Sequence, residues 1–336
     1  MSKPLGVRIA GTGHALPDRV VTNHDFEKRL DTSDAWIQER TGIRERRFVN
    51  REAGETTSSI AVEAARRALA DAKMSADDMD MIIVASITPE AILPSTACFV
   101  QKELCTKPVA AFDLVAACSG FVYALLNASF MLQNGHYKRI LIIGAEVMSG
   151  ITDMEDRGTC ILFGDGAGAA VLVATGESPE GGGPGVLHYH MGAEGSGDSL
   201  LHVPAGGSRV PTSQMTIDER LHYVKMNGRE VYKRAVKRNL DLVDWTLAES
   251  GVKPDDIALV IPHQSNQRII ESARERMGLP PDRVYCNIDR IGNTSSASIP
   301  ICLDECRKSG RIKSGDLVLL IAFGAGFTWA SALVRL

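Results

Sequence analysis

Aromatic residues make up only 5% of this 336-residue chain, which argues against a platform for stacking nucleic-acid bases. Net charge is small: 37 Lys and Arg against 41 Asp and Glu leave −4, so no global positive field marks a nucleic-acid partner. There is no Cys-x-x-Cys pair and no Cys/His spacing of the zinc-binding kind, so no metal is expected. The seven cysteines (98, 105, 118, 160, 286, 302, 306) are odd in number and scattered, which fits free thiols in a cytoplasmic protein. The start, Met-Ser-Lys-Pro-Leu-Gly-Val-Arg, lacks the apolar core of a signal peptide. Long apolar runs are also scarce. Leu317 to Val334 goes 18 residues without a charge, but Gly324, Gly326, Thr328 and Ser331 divide it. A buried β-hairpin is expected there, not a membrane span.

What is present is ordinary globular composition, 44% apolar and 23% charged with 31 glycines. The length suggests about two domains and a core that needs no disulfide or metal. Short runs rich in Val, Ile and Leu alternate with helical patterns. Ile60 to Ala72 predicts a helix, and Met81 to Ala85, Arg139 to Ile143 and Leu317 to Ala322 predict strands. That alternation indicates α/β architecture with parallel strands.

The chain also resembles itself. Leu69 through Ile82 aligns with Leu247 through Val260 at an offset of 178, and the same offset sets Ile140–Ile143 on Val318–Ile321. It places Ala117-Cys118-Ser119 on Ser295-Ser296-Ala297. Phe163-Gly-Asp-Gly matches Phe323-Gly-Ala-Gly at an offset of only 160, so the first copy carries about 18 extra residues, roughly 145–162. The expectation is two halves, 1–178 and 179–336, joined by the Gly- and Pro-rich stretch 176–185. His188, His190, His202 and His222 show no metal-like regularity and read as solvated loop or strand.

Three positions carry chemistry. Cys118 falls between a predicted strand, Val109–Leu114, and a predicted helix, Gly120–Met131, where free N–H groups and the helix dipole favour a thiolate. That setting alone leaves two readings open, a nucleophile or a small packed thiol. His263 ends the apolar run Val260-Ile261-Pro262, the strand-end position where α/β proteins bind ligands. Asn293, in Gly292-Asn-Thr-Ser, sits in another loop entering a helix, and by the repeat it lies near the counterpart of the Cys118 junction.

Together Ala117-Cys-Ser-Gly-Phe121, His263-Gln-Ser-Asn266, Gly292-Asn-Thr-Ser295 and Phe323-Gly-Ala-Gly-Phe-Thr-Trp329 resemble the β-ketoacyl-acyl carrier protein synthase III family, from about Val7 to Leu336. The resemblance implies a duplicated thiolase-like fold in five layers, α/β/α/β/α. It implies a homodimer that initiates fatty-acid synthesis, using acyl-CoA and malonyl-acyl carrier protein as substrates and no cofactor. Cys118 would carry the acyl group, His263 and Asn293 would stabilise the malonyl enolate, and the N–H groups of Cys118 and Ala325 would form an oxyanion hole. The family usually has glycine where Ala325 stands, and a left-handed φ would strain alanine there.

The resemblance further assigns CoA contacts to Thr32, Trp36, Arg40, Arg157, Gly228 and Asn266, with Trp36 and Arg157 facing the adenine. Ser33 or Asp34 would cap the helix carrying Trp36. In the run Arg40, Arg44, Arg46 and Arg47, Arg40 matches a phosphate contact and the run otherwise reads as a solvated face. Leu162 and Phe163 match the acyl pocket, and Leu93 a position that closes the pocket of a second copy. Lys233 and Arg268 match residues that dock the acidic carrier protein. No second active cysteine follows Cys306, as a degradative thiolase would need, and Asn293 separates the chain from elongating synthases, which use two histidines. The alternative is a relative recruited to secondary metabolism with another acceptor. A non-catalytic partner protein would have no use for all three residues.

Overall fold

Met81–Ala85 is an unbroken apolar run with no alternation, and all five residues are buried, as a strand covered on both faces requires. The computed structural model describes residues 5–336, apart from the side chain of residue 180. Residues 1–4, part of the stretch read for a signal peptide, lie outside the described residues.

In chain order the first elements are β1 (Gly6–Ala15), β2 (Arg19–Thr22), α1 (Asn23–Glu27), α2 (Asp34–Thr41) and β3 (Glu45–Phe48). Then come α3 (Thr57–Ala72), β4 (Met81–Ala85), α4 (Thr96–Leu104), β5 (Ala110–Leu114) and α5 (Gly120–Gln133). Strands β6 (Arg139–Val147), β7 (Asp165–Thr175) and β8 (Gly185–Ala193) follow, then β9 (Leu201–His202), α6 (Gln214–Asp218) and β10 (Lys225–Met226). The remainder is α7 (Gly228–Ser250), β11 (Leu259–Pro262), α8 (Gln267–Met277), α9 (Ile288–Ile291), α10 (Ser298–Lys308), β12 (Leu317–Gly324) and β13 (Thr328–Arg335). Helix α3 starts three residues before its apolar pattern because Thr56 and Ser59 form a capping box, with Thr56 N–H donating to Ser59 Oγ at 2.8 Å.

Two mixed sheets result, in the order β1-β7-β6-β4-β5 and β11-β12-β13-β8. Strand β4 runs parallel to β5 and β6, and β11 parallel to β12. The run 317–334 is the expected hairpin, β12 pairing antiparallel with β13. Helices α5 and α10 lie between the sheets, their Leu125, Leu126 and Leu303 packing with Ile142 of one and Leu320 of the other. Helices α3 and α4 cover the outer face of the first sheet, and α7 and α8 that of the second. The layers are therefore α/β/α/β/α. No helix among the described residues is long and apolar enough to cross a membrane.

The offset of 178 recurs in the backbone. The short turns Ala76–Asp78 and Ala117–Ser119 correspond to Pro254–Asp256 and Ser295–Ala297. Ala117 has φ 46° and Ser295 φ 49°.

One expectation is overturned. Arg46 does not belong to a solvated face: it is fully buried. Strand β3 pairs with β2 and alternates, so Glu45 and Arg47 are half-exposed while Arg46 points inward. There its guanidinium stacks 4.8 Å from the Phe26 ring and donates to Asn23 Oδ1 at 2.8 Å and to the carbonyls of Val21 and Ile161. The last bond ties the inserted segment to the β2–β3 pair, and Cys160 and Ile161 share a small core with Val21, Phe26, Ile37 and Phe48.

Candidate active site

Strand β5 turns into α5 through Ala117, whose left-handed φ is costly for a residue with a Cβ. The sharp elbow holds Cys118 one turn before the helix proper, facing the N-terminal end of α5. The matching elbow at Ser295 feeds α10, and the two turns pack against each other. The end of β12 backs onto the first elbow: a Cβ on Gly324 would lie 2.7 Å from the Cys118 nitrogen, so only glycine lets that strand approach.

His263 follows β11 and is buried, with its Nδ1 2.7 Å from Ser298 Oγ at the start of α10. Gln264 N–H donates to the same Ser298 oxygen at 3.4 Å; with the Ser298 hydroxyl hydrogen turned to Nδ1, the imidazole hydrogen sits on Nε2. Asn293 Oδ1 accepts from Ser295 N–H at 2.9 Å. The Asn293 backbone bonds to Leu162 and Gly164 on either side of Phe163. Cys118, His263 and Asn293 all line one cleft.

The electrostatics correct one expectation. Burial pushes the Cys118 thiol up to about 12; a Ser295 hydrogen bond opposes this and the Glu146 charge adds to it. Desolvation is the largest influence on it, so the resting group is a thiol and not a thiolate. Burial alone pushes His263 down to about 3, so its imidazole is neutral at physiological pH.

Glu146 is the residue that sequence reasoning missed. It is fully buried at the end of β6 and accepts from Thr88 Oγ1 (2.7 Å), Ile87 N–H (3.1 Å), Ser296 Oγ (2.8 Å) and Ser295 Oγ (3.0 Å). It thus bolts the second elbow to the first sheet. Its signal was a single carboxylate inside the apolar run Ile140-Leu-Ile-Ile-Gly-Ala-Glu-Val147.

Of the other expected site residues, Leu162, Phe163, Gly228 and Asn266 also line the cleft. Asn266 caps α8, accepting from Arg268 N–H at 2.9 Å, and donates to the Arg40 carbonyl at 2.9 Å, which joins α2 to the cleft rim. On α2, Ser33 is the cap, and Trp36 stands with Arg40 at 5.7 Å and Arg157 at 5.1 Å from its ring. The Thr32 hydroxyl oxygen is buried without a hydrogen-bond partner. Lys233 is exposed on α7 and paired with Glu230 at 2.9 Å, while Arg268 lies 5.5 Å from the Tyr232 ring. Leu93 is 84% exposed and does not line this chain's own cleft. Ala325 follows Gly324 without strain, because the positive φ of that loop falls on Gly326.

A cysteine at a helix N-terminus, with a neutral imidazole and an amide lining the same cleft between two layered α/β halves, fits a condensing acyltransferase of the thiolase type. Comparison with known proteins narrows the class. Residues 112–195 match the 3-oxoacyl-[acyl-carrier-protein] synthase III family model, and residues 247–336 match the model of that enzyme's C-terminal region. A β-ketoacyl-[acyl-carrier-protein] synthase III from Caldanaerobacter subterraneus is 49% identical over 100% of this chain and 99% of its own length. The crystal structure of 3-oxoacyl-[acyl-carrier-protein] synthase III from Aquifex aeolicus superposes with a TM-score of 0.89 at 45% identity, covering 98% of this chain and 100% of that one. The priming β-ketosynthase of the R1128 polyketide pathway is 31% identical with a TM-score of 0.88, covering 100% and 98%. The chain belongs to the β-ketoacyl-[acyl-carrier-protein] synthase III family.

Proposed function

We propose that this protein condenses an acyl-CoA primer with malonyl-acyl carrier protein to give 3-oxoacyl-acyl carrier protein, the first condensation of fatty-acid synthesis. The observation that carries this reading is that Cys118, His263 and Asn293, from distant parts of the chain, line one cleft. Cys118 sulfur attacks the acyl-CoA carbonyl, the bond to CoA sulfur breaks, and the thiol proton ends on the departing CoA. Malonyl-acyl carrier protein then loses CO₂, and the electron pair left behind attacks the acyl carbon. The new carbon–carbon bond forms as the bond to Cys118 breaks, and Cys118 regains a proton from solvent. The Nε2–H of His263 and the Nδ2–H of Asn293 donate to the malonyl thioester oxygen as enolate charge develops. Neutral donors suit this because they hold the oxyanion without contesting a proton. The backbone N–H groups of Cys118 and Ala325 serve the tetrahedral intermediates of acyl transfer. No resident cofactor is required.

The adenine of CoA inserts between Trp36 and Arg157, whose half-exposed side chain first gives up its contacts with the Asp31 carbonyl and carboxylate, and the unpartnered Thr32 hydroxyl and Arg40 complete that end. Gly228 and Asn266 border the pantetheine arm, and Leu162 and Phe163 the acyl chain. Lys233 and Arg268 meet the acidic carrier protein, where charge chiefly speeds encounter. We read the chain as two halves, 1–178 and 179–336, and the working unit as a cytoplasmic homodimer. Strand β5 is an uncovered sheet edge, and Leu93 stands exposed to reach a second copy's cleft.

The test is labelled acetyl-CoA followed by malonyl-acyl carrier protein. Label is expected on Cys118, absent in Cys118→Ala, and discharged as acetoacetyl product. Labelling without condensation would instead favour a recruited acyltransferase with another acceptor.

A further inference from the structure

Strand β8 reads Gly-Val-Leu-His-Tyr-His-Met-Gly-Ala, and its period of two puts His188 and His190 on one face. That face is covered by the last turns of α7, which carry Trp245 and Glu249. The Trp245 ring lies 5.5 Å from that of His190, and both imidazoles are about four-fifths buried. Their Nε2 atoms are 3.1 Å apart, and one Glu249 oxygen stands 3.6 Å from the first and 3.5 Å from the second. Direct bonding accounts poorly for this triangle. A single proton can bridge the two nitrogens, but the carboxylate oxygen then lies beyond good hydrogen-bond range of both.

We propose that His188, His190 and Glu249 bind a divalent cation of the zinc type, at the edge of the second sheet and apart from the catalytic cleft. Zinc holds nitrogen and oxygen at about 2.0–2.2 Å in a tetrahedron, which sets ligand atoms about 3.3–3.5 Å from one another. The three observed separations straddle that spacing, and the point equidistant from the three atoms lies about 2.0 Å from each. Two imidazoles and one carboxylate suit Zn²⁺, Co²⁺ or Ni²⁺ better than Mg²⁺ or Ca²⁺. Glu249 is half-exposed, so the fourth position opens to water. The cation ties edge strand β8 to α7 and stabilises the fold in step with its occupancy. None of the three residues lines the catalytic cleft, so the cation clamps the structure and takes no part in condensation. The sequence did not show the site because its third ligand lies 59 residues beyond His190.

The test is a Co²⁺ titration of the full-length protein after dialysis against chelator. One equivalent per chain should give the intense visible bands of tetrahedral cobalt, displaced by Zn²⁺. No thiolate-to-cobalt charge-transfer band should accompany them, which excludes the exposed Cys98 and Cys286. Glu249→Gln, a change at a half-exposed side chain, should weaken Co²⁺ by at least the roughly 10–100-fold that loss of even an outer partner costs a metal site. Zn²⁺ should raise the melting temperature of the parent protein but not of His190→Gln. Absence of tetrahedral bands, a thiolate signature, or an affinity unmoved by Glu249→Gln overturns the proposal.

Discussion

Asn293 Oδ1 accepts the Ser295 amide hydrogen at 2.9 Å, and that one bond decides which end of the amide meets the substrate. With the oxygen engaged by its own loop, the NH₂ group is the end left for the cleft. Asn293→Asp keeps the loop bond but replaces the donor with a negative charge where enolate charge would grow. Acylation of Cys118 should persist while malonyl decarboxylation falls roughly 10²–10³-fold, the scale of losing one oxyanion donor. Acyl-enzyme yield by mass and CO₂ release, measured on the same sample, check the split. Equal loss of both half-reactions would remove Asn293 from the enolate site.

Glu146 is surrounded by donors from the second elbow and from the loop after β4, yet burial raises its pKa despite them. A carboxyl that holds its proton more tightly folded than unfolded loses stability as pH rises from its ordinary value near 4.5 through the folded value. Glu146→Gln is nearly isosteric, and the Ser295 and Ser296 hydroxyls can turn to accept from the new amide. This variant should therefore lack that decline, seen as urea midpoints compared at pH 5 and pH 8. Glu146→Ala strands several buried donors and should cost ~3 kcal/mol or more.

His263 acts in the opposite direction. Its folded pKa of about 3 lies below the unfolded 6.5, so the unfolded chain takes up a proton first as pH falls. Stability is full above 6.5 and is lost toward 3, by ~3 kcal/mol between pH 7 and pH 4. His263→Asn should flatten that limb of the stability profile. The condensation rate of the parent enzyme should show no His263 ionisation near 6.5. A kinetic pKa there that disappears in His263→Asn would contradict a neutral buried imidazole.

Buried Arg46 keeps its charge, since burial lowers its pKa only to about 10. Arg46→Met fills similar volume but leaves Asn23 Oδ1 and the Val21 and Ile161 carbonyls without their donor. A loss of ~3 kcal/mol is expected, with the inserted segment loosening first. Hydrogen exchange over residues 148–164 measures this. Uniform exchange across the chain would mean that Arg46 does not hold that segment.

Arg46 also marks where sequence reading stopped. Apolar runs such as Met81–Ala85 announced buried strands because nothing but a covered sheet accepts them, and the offset of 178 exposed the paired elbows at Cys118 and Ser295. Charged residues gave no such signal. Arg46 looked like its exposed neighbours until the β2–β3 register turned it inward, and Glu146 and the His188–Glu249 contact depend on partners far away in sequence. Cys118 was legible as a junction residue, but its protonation was not. The dipole of α5 belongs to local sequence, whereas the burial that raises the thiol comes from chain far away in sequence, the end of β12 and the second elbow packed against it.

Trp36 tests the nucleotide end of the cleft. Its ring is half-buried and flanked by Arg40 and Arg157, neither of which holds it through a hydrogen bond. Removing it should therefore change binding more than folding. One lost base-stacking contact is worth about 1–3 kcal/mol. Trp36→Ala should raise the KM for acetyl-CoA about tenfold, the lower half of that range, and leave kcat in place. Acetyl-pantetheine, which lacks the adenine, should be used equally well by both proteins. If the variant loses activity with acetyl-pantetheine as well, Trp36 supports the Cys118 cleft itself and the nucleotide binds elsewhere.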